Sequence, residues 1–283
     1  MSPPTAARLV EIAAQQLANL PNPQLDAEML FRGVSGLDRA GFLTGLGDTV
    51  EPGLATKFEA AVARREGHEP IQYILGSAAF WRDDFIVTPA VLIPRPDTEI
   101  LVEAVAARLR GVPAPALLDV GTGSGCIALS LLRELPGASA VALDISDEAL
   151  DVARRNAERL GLRSRLEPRR SRWLEALTQA EAFDLIVSNP PYVARADEPN
   201  LPEEVRDYEP ALALFADARD DLSSYRAIIS ELGDHLKPSG LLAFEVGAGQ
   251  AGRVAQLLTD AGFNSLEVLN DLSQTPRVVL GRR

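Results

Sequence analysis

The chain has 283 residues, 46% hydrophobic and 24% charged, which fits one large or two smaller folded domains. Its net charge of −12 argues against bulk nucleic acid as the main partner, because phosphate neutralisation supplies most of that affinity. One cysteine, Cys126, excludes an internal disulfide and a cysteine-based metal cluster, and His68 and His235 lie far apart without ligand spacing, so no metal is expected.

The N-terminal MSPPTAARLVEIAAQ lacks a charged segment followed by an apolar core. No apolar run reaches the roughly 20 residues that cross a bilayer. A cytoplasmic monomer without a membrane partner is expected. Residues 5 to about 67 read as helical, with Leu9, Ile12, Ala13, Leu17 and Leu20 at helical spacing. Pro21 and Pro23 punctuate, a helix resumes over 26–34, and Gly41, Gly45, Gly47 and Pro52-Gly53 mark turns before a further helix over 57–65. Residues 1–70 are therefore expected to form a small all-helical domain. The stretch 71–96 changes character. Its segments 71–75 and 85–87 are β-rich and flank Asp83-Asp84, which reads as a hairpin turn, and Pro89, Pro94 and Pro96 stiffen the chain beyond the hairpin. This stretch is the expected junction, after which Asp97 or Thr98 caps a helix to about Arg110.

Within 97–283 strands and helices alternate, which implies an α/β domain with a mostly parallel sheet and helices on both faces. Strands are expected over 116–120, 138–143, 165–169, 183–188, 241–246, 265–269 and 277–280. Helices are expected over 125–135, over 147–160 after a Ser146 cap, and over 222–236 before Pro238 and Gly240. Arg154, Arg155, Arg159, Arg163, Arg165, Arg169, Arg170 and Arg172 crowd one stretch. With no aromatic residues interleaved for stacking, they read as a solvated helix face and a charged edge strand rather than a nucleic-acid patch.

Three strand ends carry chemistry. The first strand of the α/β domain runs into Asp119-Val120-Gly121-Thr122-Gly123-Ser124-Gly125. Glycines between a strand and a helix let the backbone approach a ligand closely. A dinucleotide fingerprint would need glycine where Cys126 stands, and no Gly-Lys-Ser/Thr is present for a P-loop. The pattern instead fits a loop that packs against an adenosyl amino acid. The second strand ends in Asp144, followed by Ile145, and its two carboxylate oxygens can accept both hydroxyls of a ribose. The fourth ends in Asn189-Pro190-Pro191-Tyr192. Prolines lack backbone donors and restrict the preceding residue to extended geometry, so an amide, two free carbonyls and an aromatic ring are set rigidly at a strand end. The Asn189 oxygen and the Pro190 carbonyl can each accept one N–H of a planar NH2 group while Tyr192 packs beside it, and the remaining direction on nitrogen then faces an electrophile.

With these residues the chain resembles the S-adenosyl-L-methionine-dependent methyltransferases with a Rossmann-like, mostly parallel seven-stranded sheet. More closely it is similar to the peptide chain release factor glutamine methyltransferases (the PrmC/HemK family). The resemblance spans nearly the whole chain. It is carried by Ile93-Pro94-Arg95-Pro96-Asp97-Thr98-Glu99, the glycine loop, Asn189 to Tyr192, Tyr208-Glu209-Pro210 with Ala211-Leu212, and Phe244-Glu245-Val246-Gly247. It implies a class I methyltransferase domain, S-adenosyl-L-methionine as cofactor, and the glutamine of the Gly-Gly-Gln loop of class-1 release factors as target, recognised through the N-terminal helical domain. The implied cofactor residues are Asp119, Gly121, Thr122, Gly123, Ser124, Gly125, Asp144, Ile145, Arg172, Trp173 and Asn189. Asn189, Pro190, Pro191 and Tyr192 are the implied catalytic and substrate-binding set. A glutamine on a ribosomal protein, an exocyclic amine of a nucleic-acid base and a binding protein without activity are the alternatives. The chain departs from the family at Arg172, where an acid usually precedes the aromatic residue and accepts from the adenine amino group. It departs again at Ser273 in a turn that usually carries glycine.

Overall fold

The computed structural model describes residues 3–216 and 220–283; residues 1 and 2 of the expected helical domain and 217–219 of the expected α/β domain lie outside the described residues. The elements begin with α1 (Ala6–Gln16), α2 (Pro23–Ser35), α3 (Arg39–Thr44), α4 (Pro52–Glu66), α5 (Ile71–Leu75), β1 (Ser77–Phe80) and β2 (Asp83–Ile86). Next come α6 (Thr98–Leu109), β3 (Ala116–Val120), α7 (Cys126–Glu134), β4 (Ser139–Asp144), α8 (Asp147–Arg159), β5 (Leu166–Arg170) and β6 (Phe183–Ser188). A 3-10 turn over Arg195–Asn200 leads to α9 (Glu203–Tyr208), α10 (Ala211–Leu214), α11 (Ser223–Glu231), β7 (Leu236–Glu245), α12 (Ala251–Asp260), β8 (Ser265–Asn270) and β9 (Pro276–Arg282). Among the described residues no helix is long and apolar enough to cross a membrane.

One compact unit comprises Met1–Ser77 together with Pro202–Tyr208, so α9 joins a bundle that is remote from it in sequence. The Thr5 hydroxyl accepts from the Arg8 amide and starts α1, whose buried side chains include Leu9, Val10 and Ala13. The α2 and α4 helices begin on prolines, where the missing N–H costs nothing, and α2 stops at Gly36 in the left-handed region (φ 73°). Phe31 lies at the centre, its ring 5.8 Å from that of Phe42 and 5.3 Å from that of Phe58. Arg65 is buried and bonds Asp26 at 2.7 Å and Glu204 of α9 at 2.7 Å. The segment 71–75, expected as β, is the helix α5. Pro70 starts it and Gly76 (φ 73°) ends it, and Gly33 leaves the space that the Leu75 side chain fills. The hairpin turn falls at Trp81-Arg82, with Trp81 at φ 57°, and Asp83-Asp84 begins the second strand.

The other unit, Ala78–Leu201 and Glu209–Arg283, holds the seven-stranded sheet in the order β5-β4-β3-β6-β7-β9-β8, parallel except for β9. Leu101 and Val105 of α6, Leu129 and Leu132 of α7 and Ala157 of α8 pack in one core, which also takes in Phe80 and Phe85 of the hairpin. Tyr225 and Ile228 of α11 and Val254 and Leu258 of α12 pack in a second core. The chain goes from β3 outward to β4 and β5, then returns to place β6 on the other side of β3. The connections diverge there, and the crevice at such a switch point is where open α/β sheets take ligands.

Several boundaries differ from expectation: α2 starts at Pro23, Gly41 lies inside α3 rather than in a turn, and Pro52-Gly53 opens α4 instead of marking a turn before it, since proline suits a first helical position. Helix α11 stops at Glu231, and β7 starts at Leu236, five residues before the expected strand. Pairing of β6 with β7 jumps from Phe183↔Leu236 to Leu185↔Leu241, so a bulge absorbs Pro238, Ser239 (φ 62°) and Gly240. In the turn after β8 the left-handed residue is Gln274 (φ 64°) and not Ser273, whose amide donates to Asp271. The crowded arginines are largely engaged. Arg154 pairs with Asp151, Arg169 with Glu167 and Glu181, and Arg170 with Asp147, while Arg165 donates to the carbonyls of Leu135 and Ala138.

Candidate active site

Strands β3, β4 and β6 end level, with Val120 paired to Leu143 on one side and to Ser188 on the other. The three candidate segments therefore leave the sheet side by side. The glycine loop is tied down at once: the Gly121 and Thr122 amides both donate to the Leu143 carbonyl, at 2.8 and 2.9 Å. Ser188 closes the other seam through its hydroxyl, 2.6 Å from the Val120 carbonyl.

A cavity of about 630 Å³ opens at this edge, within the range of small-molecule sites. Gly121, Gly123, Asp144, Ile145, Arg172, Trp173 and Pro191 line it. Both glycines have positive φ, and a Cβ on either would meet no atom within 4 Å. Their bare backbones thus form a cradle that a side chain would fill. Gly125 (φ 80°) answers a different need, because its Cβ would press on Leu129 at 3.1 Å and on Ala153 at 3.3 Å. Asp119, Thr122 and Ser124 are buried behind the loop. The Asp119 Oδ2 accepts from the Thr122 hydroxyl at 2.7 Å and from the Ala128 amide at 3.3 Å, bracing the loop and the start of α7 together. Its Oδ1 has no partner. Burial, against those two bonds and with the charge of Asp144 adding, pushes the carboxyl up to about 7.

Asp144 accepts from the Gly123 amide (2.9 Å) and the Ser146 amide (3.0 Å), one on each oxygen. Burial raises its carboxyl above the usual range and these amides oppose the rise. One lone pair on each oxygen remains for a ligand hydroxyl. The Ser146 hydroxyl caps α8, so Asp144 is not needed there. Trp173 stands in the left-handed region (φ 48°), a conformation that costs a side-chain-bearing residue free energy. Ser171 holds it, donating from its hydroxyl to the Trp173 carbonyl at 2.9 Å and accepting from the Ala176 amide at 3.0 Å. Arg172 is exposed on the cavity rim.

After β6, the carbonyls of the proline pair are not equivalent. Two free carbonyls were expected, but the Pro191 carbonyl accepts from the Ser224 hydroxyl at 2.8 Å. The Tyr192 carbonyl accepts from Gln250 at 3.0 Å. The Tyr192 ring packs against a core, and burial pushes its hydroxyl up to about 12. Gly247 lets it do so, since a Cβ there would lie 2.9 Å from the ring. The Asn189 amide nitrogen is 3.5 Å from the Thr98 hydroxyl at the start of α6. Arg95 bonds Glu209, a buried carboxylate that also accepts from the Ile93 amide. Three stretches of the resemblance, around 95–98, 189–192 and 244–247, thus meet in one place. Sequence reasoning singled out neither Asn156 nor Gln250. Asn156 is fully buried and donates to the carbonyls of Ser124 and Ile86, linking the glycine loop to the hairpin. No local pattern marks such a residue; the one signal is an amide on the apolar face of α8. Among the described residues, no group of His, Cys, Asp or Glu could hold a metal ion.

This sheet order, with a glycine cradle and an amide clamp at its switch point, defines an enzyme of the Rossmann-like methyltransferase class. Residues 8–76 match the PrmC N-terminal domain and residues 96–225 the methyltransferase small domain. The chain is 43% identical to the release factor glutamine methyltransferase of Cereibacter sphaeroides, covering 94% of this chain and 93% of that one. It is 44% identical to the release factor glutamine methyltransferase of Rhodospirillum rubrum, covering 98% and 84%. The fold is also that of the hMettl16 catalytic domain, solved in complex with a 3′UTR hairpin, at TM-score 0.58 and 17% identity over 85% of each chain. At these identities and coverages the chain belongs to the release factor glutamine methyltransferase family.

Proposed function

We propose that this enzyme transfers a methyl group from S-adenosyl-L-methionine to the side-chain nitrogen of the glutamine in the Gly-Gly-Gln loop of class-1 release factors. One observation carries the reading: the glycine cradle after β3 and Asn189 after β6 leave neighbouring strands at the same level, and Pro191 lines the cavity that the cradle opens. The cofactor, when bound, supplies an electrophilic methyl group. Gly121 and Gly123 receive it along their backbones, Asp144 takes its ribose hydroxyls, and Ile145 and Trp173 flank its base, with Asp119, Thr122, Ser124 and Gly125 holding the loop in shape. A carboxamide nitrogen is a poor nucleophile, because its lone pair is delocalised into the carbonyl. The Asn189 Oδ1 and the Pro190 carbonyl each accept one of its hydrogens, fixing the nitrogen and stabilising positive charge as it develops there. With the Pro191 and Tyr192 carbonyls already engaged, Pro190 supplies the carbonyl for this task among the three residues that follow Asn189. The Tyr192 ring excludes water beside the amide plane, and its hydroxyl stays protonated at neutral pH and serves as no base. The substrate proton departs to water.

The test is a methyl-transfer assay with labelled cofactor and, separately, a class-1 release factor, a ribosomal protein and tRNA, with the modified residue located by mass spectrometry. Label on the release-factor glutamine is expected; label on tRNA alone overturns the reading. Asn189→Ala is expected to lower kcat by about a thousandfold while cofactor affinity by calorimetry stays within about threefold. Equal loss of both would move Asn189 out of catalysis.

A further inference from the structure

An asparagine can accept from a substrate N–H only if its amide faces the right way. The two ends of that amide are nearly isosteric, so something must choose between them. In the pairing of β6 with β7, Ser188 stands opposite Phe244, which brings Asn189 and Glu245 next to one another at the paired strand ends. Thr98, the first residue of α6, is buried beside both. The Thr98 and Asn189 side chains lie close enough to the Glu245 carboxylate to favour its charged form, and the Asn189 nitrogen lies 3.5 Å from the Thr98 oxygen. Glu245 is 1% exposed, and its Oε2 has no partner.

We propose that Glu245 is the positioning residue of this active site: as a buried acceptor-only group, relayed by the Thr98 hydroxyl, it holds the Nδ2 end of Asn189 and thereby presents Oδ1 to the substrate amide. A carboxylate cannot donate, so only the NH2 end of Asn189 can face it. In this arrangement the Thr98 hydroxyl accepts from one N–H of Asn189 and keeps its own hydrogen for the carboxylate, while the other N–H of Asn189 faces the carboxylate directly. The inference rests on the reading of Asn189 as acceptor, and it adds the group that makes Asn189 an acceptor.

The arrangement also has a pH signature. Burial pushes the Glu245 carboxyl up to about 7, against the bonds from Thr98 and Asn189 and the nearby Arg277 charge and together with Asp97. Asp97 at the start of α6, Arg277 on β9, Tyr192 after β6, Tyr225 on α11 and Cys126 on α7 are the other titratable or charged groups that feel it. Protonated, Glu245 becomes able to donate, and the preference for one orientation of Asn189 is lost.

The experiment compares wild type, Glu245→Gln, Glu245→Asp and Thr98→Val in the full chain. It measures kcat on a release factor at saturating cofactor from pH 5.5 to 8.5, with cofactor affinity by calorimetry. For Glu245→Gln a fall in kcat of at least about thirtyfold with unchanged cofactor affinity is expected, because a glutamine can turn its own NH2 to Asn189. Glu245→Asp restores part of the rate, and Thr98→Val costs about three- to tenfold. The wild-type rate declines below about pH 7, and that acid limb is absent in Glu245→Gln. A Glu245→Gln enzyme that keeps the wild-type rate overturns the inference. So does parallel loss of rate and cofactor affinity in Glu245→Gln, or an unchanged rate in Thr98→Val should Glu245→Gln not fold. A wild-type enzyme that leaves release factors unmodified refutes the proposed function instead.

Discussion

Arg65 in the helical unit and Asp119 and Glu245 in the α/β unit are all charged groups taken almost fully out of water, and the chain treats them in opposite ways. Arg65 has three partners, the carboxylates of Asp26 and Glu204 and the carbonyl of Glu69. Asp119 and Glu245 each keep one oxygen without any partner and are pushed up to about 7. A fully paired buried ion holds an architecture together. An underpaired buried carboxylate costs stability, and both examples stand just behind the candidate site, Asp119 under the glycine loop and Glu245 beside the residues of the clamp. That placement is the expected mark of a functional site.

The comparison can be broken most sharply at Arg65. Arg65→Ala leaves Asp26 buried without its ion partner and should destabilise the chain by about 3–5 kcal/mol in urea unfolding, whereas Arg65→Met with Asp26→Leu should restore most of that loss. An alanine variant as stable as wild type would make the pair ornamental. The next effect is pH dependence. Asp119 and Glu245 ionise near 7 when folded and near 4 when unfolded, so between those values the folded protein holds protons that the unfolded chain has released. Their contribution is therefore favourable at pH 5 and is lost as pH rises through about 7, a change of a few kcal/mol at about 1.4 kcal/mol per unit. Carboxylates held low by ion pairs, such as Asp221 beside Arg253, act at more acid pH. Asp119→Asn should flatten the slope between pH 5 and pH 8 and raise stability at pH 8 while weakening cofactor binding. An unchanged slope would show that the buried carboxylate is better solvated than its surroundings imply. The smallest effect belongs to the rim. Arg172→Asp should improve cofactor affinity by about fivefold, the worth of one added hydrogen bond to the adenine amino group, read by titration calorimetry. No gain would mean that Trp173 and the backbone already complete the base site.

The sequence made local features readable and left non-local ones hidden. The strand over Phe183–Ser188 has the limits expected, because a continuous apolar run meets a proline pair. The glycine loop and Asp144 were equally plain. Segment 71–75 misled because Ile71, Tyr73 and Ile74 favour strands, although Pro70 before it and Gly76 after it are helix punctuation. The β7 start is hidden in the sequence because Pro238 and Gly240 read as a helix stop, whereas they form the bulge of a central strand. Thr98, Glu209 and Glu245 lie in stretches that carry the resemblance and Gln250 in none, but no local pattern gives any of them its place at the site. Parallel pairing and the return of the chain to β6 bring Glu245 beside Asn189, while Gln250 bonds the Tyr192 carbonyl and Glu209 bonds Arg95, and such adjacency is not written in any one segment.

Helix α9 carries a consequence for the history of the protein. Seven residues between the amide clamp and α10 leave the α/β unit's sequence to give the helical bundle Glu204 for Arg65 and Tyr208 for the Gly67 carbonyl. A recombination event that exchanged the gene at residue 77 would carry Arg65 and Asp26 into a host whose α9 had grown up with a different bundle. The sequence boundary at residue 77 is thus not a free crossover point. Substitutions at Arg65 and Glu204 should travel together through descent, although 139 positions separate them.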